Sequence, residues 1–152
     1  MASGSRSEKL TAMSDFAAAY RIARSLPTKH EGNKERYESV LDIISGLGRR
    51  DFRGEKFIPA VVRTRDRISR QYGGRDVLSA TTKFLWLKLK SPIIIYDSQA
   101  RAALNVKKSG DFESYCSAWR KKFRSCKPEI ENACRSLTGM RTKNFDPQFV
   151  IA

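Results

Sequence analysis

The chain has 152 residues with a net charge of +14, from 30 lysines and arginines against 16 acidic residues. That length suits one domain burying roughly 70% of its unfolded surface, and the 40% of apolar residues spread along the chain argues against global disorder. No apolar stretch nears the roughly 20 residues of a membrane span, and the N-terminus lacks the apolar core of a signal peptide, so an intracellular protein, cytoplasmic or nucleoid-associated, is the expectation.

The expected elements are helices. Residues 1–7 are small and polar and read as a flexible start, with the domain occupying 8–152. Ser14-Asp15 suits the cap of a first helix carrying Phe16, Ala19, Tyr20 and Ala23 and ending before Pro27. Asn33 suits the cap of a second, with Tyr37, Val40, Leu41 and Ile44 on one face and Gly46 and Gly48 stopping it. A third is predicted from about Glu55 to Tyr72, its apolar side made by Ile58, Val61, Val62, Ile68 and Tyr72. Pro59 falls in its first turns, where a missing backbone donor is tolerated.

Gly73-Gly74 breaks the chain, and Asp76 can cap a fourth helix running through Leu89. Ser91-Pro92 ends that helix, and Ile93-Ile94-Ile95-Tyr96 reads as a buried extended connection. Asp97 or Ser98 starts a fifth helix, with Ala100, Ala103 and Leu104 inward. After Gly110, a sixth shows Phe112, Tyr115, Cys116, Trp119 and Phe123 as an amphipathic stripe. Pro128 is expected to open a seventh through Leu137, closed by Gly139, with the tail packing back through Phe145, Phe149 and Val150. No strand alternation, internal repeat or interdomain linker is evident. The expected fold is an all-α single compact domain of about seven helices.

The positive charge is concentrated. Residues 1–48 hold 7 basic and 6 acidic side chains, residues 49–90 hold 12 and 4, and residues 101–143 hold 11 and 4. Such excess points to a polyanion partner, because each neutralised phosphate releases condensed counterions. Arg63, Arg67 and Arg70 form one candidate phosphate-binding cluster, and Arg120, Lys121, Lys122 and Arg124, with Lys127, another. Lys88 and Lys90 stand closer to Asp97 and are candidates for backbone contacts around an extruded nucleotide. Cys116, Cys126 and Cys134 are odd in number and form no Cys-x-x-Cys pair, while the single histidine, His30, is far from them. Neither a disulfide framework nor a His/Cys metal site is indicated, and no cofactor is expected.

The run from Ser79 to Leu104 carries the candidate chemistry. An apolar helix with Leu85-Trp86-Leu87-Lys88 leads through Ser-Pro into Ile94-Ile95-Tyr96-Asp97-Ser98, and Arg101-Ala102-Ala103-Leu104 follows. This segment resembles the region around the catalytic aspartate of helix-hairpin-helix DNA glycosylases, in particular the 8-oxoguanine glycosylases, over about 30 residues. The resemblance implies that Asp97 stabilises positive charge developing on the sugar or activates water there. It also implies a lysine near Leu78 in members that form a Schiff base; the nearest one here is Lys83. Gln71-Tyr-Gly-Gly-Arg-Asp-Val-Leu-Ser-Ala80 departs from the family's Leu-Pro-Gly-Val-Gly hairpin. Trp86 and Tyr96 bracket Asp97 and are candidates to hold a flipped base, since such bases sit between aromatic or apolar surfaces. The leading expectation is therefore a DNA glycosylase-like protein of base excision repair acting on duplex DNA, monofunctional because Lys83 is displaced from the position of the family's Schiff-base lysine. The alternatives are a non-catalytic helical DNA- or RNA-binding module, with Asp97 a cap, and an interaction protein whose basic surface receives an acidic partner.

Overall fold

The computed structural model describes residues 4–22, 26, 35–107 and 111–138. Ala23, Pro27, His30, Asn33, Gly110 and the segment from Gly139 onward, on which several of the expectations above rest, lie outside them. The fold is all-α, and no strand occurs among the described residues. The chain forms two compact units, Met1–Asp97 and Ser98–Ala152.

In the first unit, α1 spans Arg6–Ala19. It starts well before the expected Ser14-Asp15 cap, because Ser5 accepts from the Glu8 backbone while the Glu8 carboxylate accepts from the Ser5 backbone. This reciprocal Ser-x-x-Glu box satisfies two donors that a helix start otherwise leaves unpaired. Helix α2 spans Glu38–Ser45. Two 3-10 turns, Arg49–Phe52 and Gly54–Lys56, lead into α3, Phe57–Gln71. Gly73 and Gly74 both adopt positive φ (72° and 73°), and the Gly74 amide returns to the Ser69 carbonyl. That bond closes the helix end in the manner of a Schellman motif, which needs a left-handed residue that glycine supplies without strain. Helix α4, Leu78–Leu89, follows, with the Asp76 carboxylate accepting from the Leu78 amide.

Helix α3 is central: it packs against α2, α4 and both 3-10 turns, while α1 lies on α2. Val40, Ile44, Phe52, Phe57, Val61, Ile68, Phe84 and Leu85 are almost fully buried between them. Such burial contributes roughly 1.5–3 kcal/mol per large side chain. By contrast, the Arg6 pairs with Glu38 and Asp42 (3.0 and 2.8 Å) are surface contacts of small net value.

In the second unit, α5 spans Ser98–Ala103 and buries no residue, so the inward stripe expected for it is absent. In the turn that follows it, Asn105 takes a φ of 55°, the left-handed conformation asparagine tolerates. Helix α6 runs unbroken from Phe112 to Thr138, correcting the expected division at Pro128. Proline inside a helix forfeits one hydrogen bond, to the carbonyl four residues back. Pro128 and Arg124 are both exposed, so solvent can serve that carbonyl and the helix continues. Asp111 caps α6 by accepting from the Ser114 amide at 2.7 Å, which holds its carboxyl below the usual range. Phe112, Tyr115 and Cys116 are buried, and burial pushes the Cys116 thiol up to about 12. That thiol is unreactive at neutral pH.

Two stability predictions follow from the first unit's interior. Tyr72 is 2% exposed, donates to the Arg36 carbonyl, and is pushed up to about 12, chiefly by burial. A raised phenol pKa keeps the folded state protonated after the unfolded state has lost its proton, so stability falls as pH rises from about 10 to about 12. Wild type should lose about 2 kcal/mol over that window that Tyr72→Phe retains, measured by urea unfolding at each pH. Thr81 is fully buried and its hydroxyl finds no partner among the described residues. Thr81→Val should raise stability by about 1 kcal/mol, because it removes an unsatisfied hydroxyl at nearly constant shape.

Candidate active site

Helix α4 presents Lys83 and Trp86 at i and i+3, a spacing that shares one helix face, and Lys90 follows as its C-terminal cap residue. At its C-terminal end Lys90 takes a positive φ of 57°, Ser91-Pro92 follows as a cis peptide, and the Ile93 amide turns back to the Lys90 carbonyl. Ile93 and Ile94 are buried and anchor this return. Consecutive residues of α4 then grip consecutive residues of the returning segment. The Thr82 hydroxyl accepts from the Tyr96 amide at 3.0 Å while donating to the Ser79 carbonyl at 3.1 Å. The Lys83 ammonium donates to Asp97 Oδ2 at 3.3 Å.

The pair is asymmetric. The Lys83 side chain is 12% exposed and that of Asp97 38%, so the cation lies below and the carboxylate opens to solvent. Asp97 immediately precedes α5. Sequence spacing could not show that Lys83 reaches Asp97; the return of residues 90–97 along α4 brings them together. Chemically, the arrangement offers a carboxylate able to face positive charge or accept a proton from water, and an amine beside it.

The other candidate residues divide into engaged and open ones. Trp86 is half-buried, stacked with Phe16 at 6.5 Å, and the Lys90 ammonium sits 3.8 Å from its ring centroid. A cation over an indole face is attracted by the ring quadrupole, so Lys90 and Trp86 already serve each other. Tyr96 is half-buried and its backbone is fixed by Thr82. Lys88 donates to the Ile44 and Ser45 carbonyls (2.5 and 2.6 Å) at the end of α2. Burial lowers its pKa, with Lys9 adding to the effect, and both lysines line a hollow of about 140 Å³ with Leu41, Ile44 and Ser45. Its ammonium is thus spent on the fold.

Arg63, Arg67 and Arg70 stand exposed at i, i+4 and i+7 along α3, a ridge suited to backbone phosphates. Arg120, Lys121, Lys122 and Arg124 are exposed on α6 in the second unit. Thr82, Phe16 and Arg49 were not legible as site residues. Arg49 donates to the Leu89 carbonyl at 3.1 Å and caps α4 from outside it. Only a long-range contact reveals these roles, although the threonine's place one residue before Lys83 is a signal that could have been read.

Among the described residues, no three His, Cys, Asp or Glu side chains are grouped to hold a metal ion, and no helix is long and apolar enough to cross a membrane. No family model, curated protein or solved structure matches the chain. The site's own geometry carries the functional argument.

Lys88→Met should cost about 1–2 kcal/mol, measured by urea unfolding, since it keeps the aliphatic stem and removes the charged donor from the α2 carbonyls. Any salt dependence of nucleic-acid binding should be the same in this variant as in wild type.

Proposed function

We propose that the chain is a glycosylase-like, DNA-binding protein in which Asp97 acts on the sugar of a base-excision substrate. The observation that carries this reading is the Lys83–Asp97 contact, with its carboxylate open to solvent and placed directly before a helix. In the reaction, a water oxygen bonds to the sugar C1′ and gives its proton to Asp97. The C1′–N bond breaks, its electron pair leaves with the base, and the base takes up through solvent the equivalent of the proton that Asp97 received, which regenerates the carboxylate. The carboxylate also opposes the positive charge that grows on the sugar. Lys83 is the positioning partner of that carboxylate. The Arg63, Arg67 and Arg70 ridge supplies sequence-independent phosphate contacts.

The alternative is a helical DNA- or RNA-binding module in which Asp97 is a tether. It is favoured by the neighbouring Thr82–Tyr96 bond, since two adjacent links from α4 to residues 96 and 97 are also what a structural latch requires.

One experiment separates them: base release from duplexes carrying 8-oxoguanine, uracil and other lesions, scored with DNA binding and with borohydride trapping. The glycosylase reading expects release by wild type and a loss of about 100-fold or more in Asp97→Asn, with DNA affinity equal or higher. Replacing Arg63, Arg67 and Arg70 by Gln should weaken binding and flatten its salt slope by roughly 0.9 per lost contact on duplex DNA. Binding without release from any duplex would establish the module. A trapped covalent adduct lost in Lys83→Met would transfer the nucleophile's role from water to Lys83.

A further inference from the structure

Helix α6 extends well beyond the part of it that is buried. Phe112, Tyr115 and Cys116 are buried, yet from Ser117 onward every described side chain is exposed or intermediate. The apolar residues on that length do not scatter. Cys116, Trp119, Phe123, Cys126, Ile130 and Ala133 follow one another at alternating intervals of three and four, and Leu137 continues the spacing in sequence. This is the a/d pattern of a helix that packs along its length against another helix. Phe123 and Ile130 are each 41% exposed, and the Trp119 and Phe123 rings lie parallel, 5.1 Å apart, as one continuous apolar ledge. From Trp119 to Ala133 the ledge is roughly 20 Å long at the rise of an α-helix.

The charges beside this seam choose its occupant. With Phe123 and Ile130 at a positions, Arg120 and Lys127 fall at e, and Lys122 and Glu129 at g. These are the positions that set partner choice and orientation. A parallel second copy would set Lys122 against Lys127. An antiparallel copy would pair Lys122 with Glu129 but oppose Arg120 to Lys127, with no net gain. Nucleic acid would satisfy the cations and leave the aromatic and aliphatic seam uncovered. An acidic amphipathic helix satisfies both. Lys127 holds Glu131 at 3.6 Å across two well-exposed side chains, a surface contact weak enough to exchange.

We propose that the exposed length of α6, from Trp119 to Ala133, is a docking seam for an acidic amphipathic helix of a partner protein, packed on Trp119, Phe123, Cys126 and Ile130 and flanked by Arg120, Lys122 and Lys127. The proposal is independent of the chemistry at Asp97 and can stand or fall without it.

The probe is a synthetic helix of about four heptads with leucine at a and d and glutamate at e and g, beside a control with glutamine at e and g. Titration calorimetry with the full chain, at low and high salt, is combined with sedimentation of the chain alone. The expected result is a monomer alone, one acidic peptide bound per chain, and weaker binding of the glutamine control. The double variant Phe123→Ser/Ile130→Ser should lose affinity by at least about tenfold. Both side chains are partly exposed, so its helical circular dichroism should match wild type. Charge reversal of Arg120, Lys122 and Lys127 to Glu should turn preference away from the acidic peptide without touching the seam. A dimer in the absence of peptide would overturn the proposal in favour of a second copy. Failure to bind the acidic peptide would overturn it, as would binding unaffected by Phe123→Ser/Ile130→Ser, which would leave a purely electrostatic surface such as nucleic acid uses.

Discussion

Short helices end in carbonyls that must find donors, and in the first unit α2 and α4 solve this for each other. Lys88 of α4 donates to the last carbonyls of α2, and Arg49, just past α2, donates to the Leu89 carbonyl that ends α4. These three bonds staple the helix ends reciprocally, in the positions where cations also suit the helix dipole. Arg36 likewise donates to a backbone carbonyl, that of Leu26. Because the end of α4 is held in this way, the chain leaves it from a fixed point, and the course of residues 90–97 depends on that point.

The candidate site is a consequence of that return. With Ile93 and Ile94 buried, and Thr82 holding the Tyr96 amide, Asp97 comes to rest within reach of Lys83. The contact is neither deep nor fully wet. A nearly buried ammonium under a half-open carboxylate is a different object from a surface ion pair, whose two members are both free to leave. It is also different from a fully buried one, where the cost of desolvation commonly matches the attraction.

The positive charge of this chain has more than one use. Part of it is consumed internally, as Lys88, Arg49, Arg36 and the Lys90 that covers Trp86. Part stands on open faces, as Arg63, Arg67 and Arg70 on α3 and the cations of α6. Net charge alone therefore overstates the surface available to a polyanion. On α6 the cations flank partly exposed apolar side chains.

Much of the fold was readable from local pattern. The all-α class, the span of α3, the α4 segment ending at Leu89 and the aspartate before α5 follow from periodicity, glycine pairs and capping residues, which act over a few positions. The start of α1 was equally local, since Ser5 and Glu8 spell a capping box, but the polar segment around them obscured it. Pro128 misled because a proline's cost depends on whether solvent can reach the freed carbonyl, and exposure is a property of the assembled fold. The same limit governs the site. Sequence selected Asp97 and Lys83 as separate candidates, yet their 3.3 Å contact, the diversion of Lys88 to α2 and the engagement of Trp86 by Phe16 and Lys90 were decided by tertiary structure. Helix formation is settled among near neighbours in the chain; which side chain meets which depends on how buried faces and unpaired carbonyls are satisfied across it.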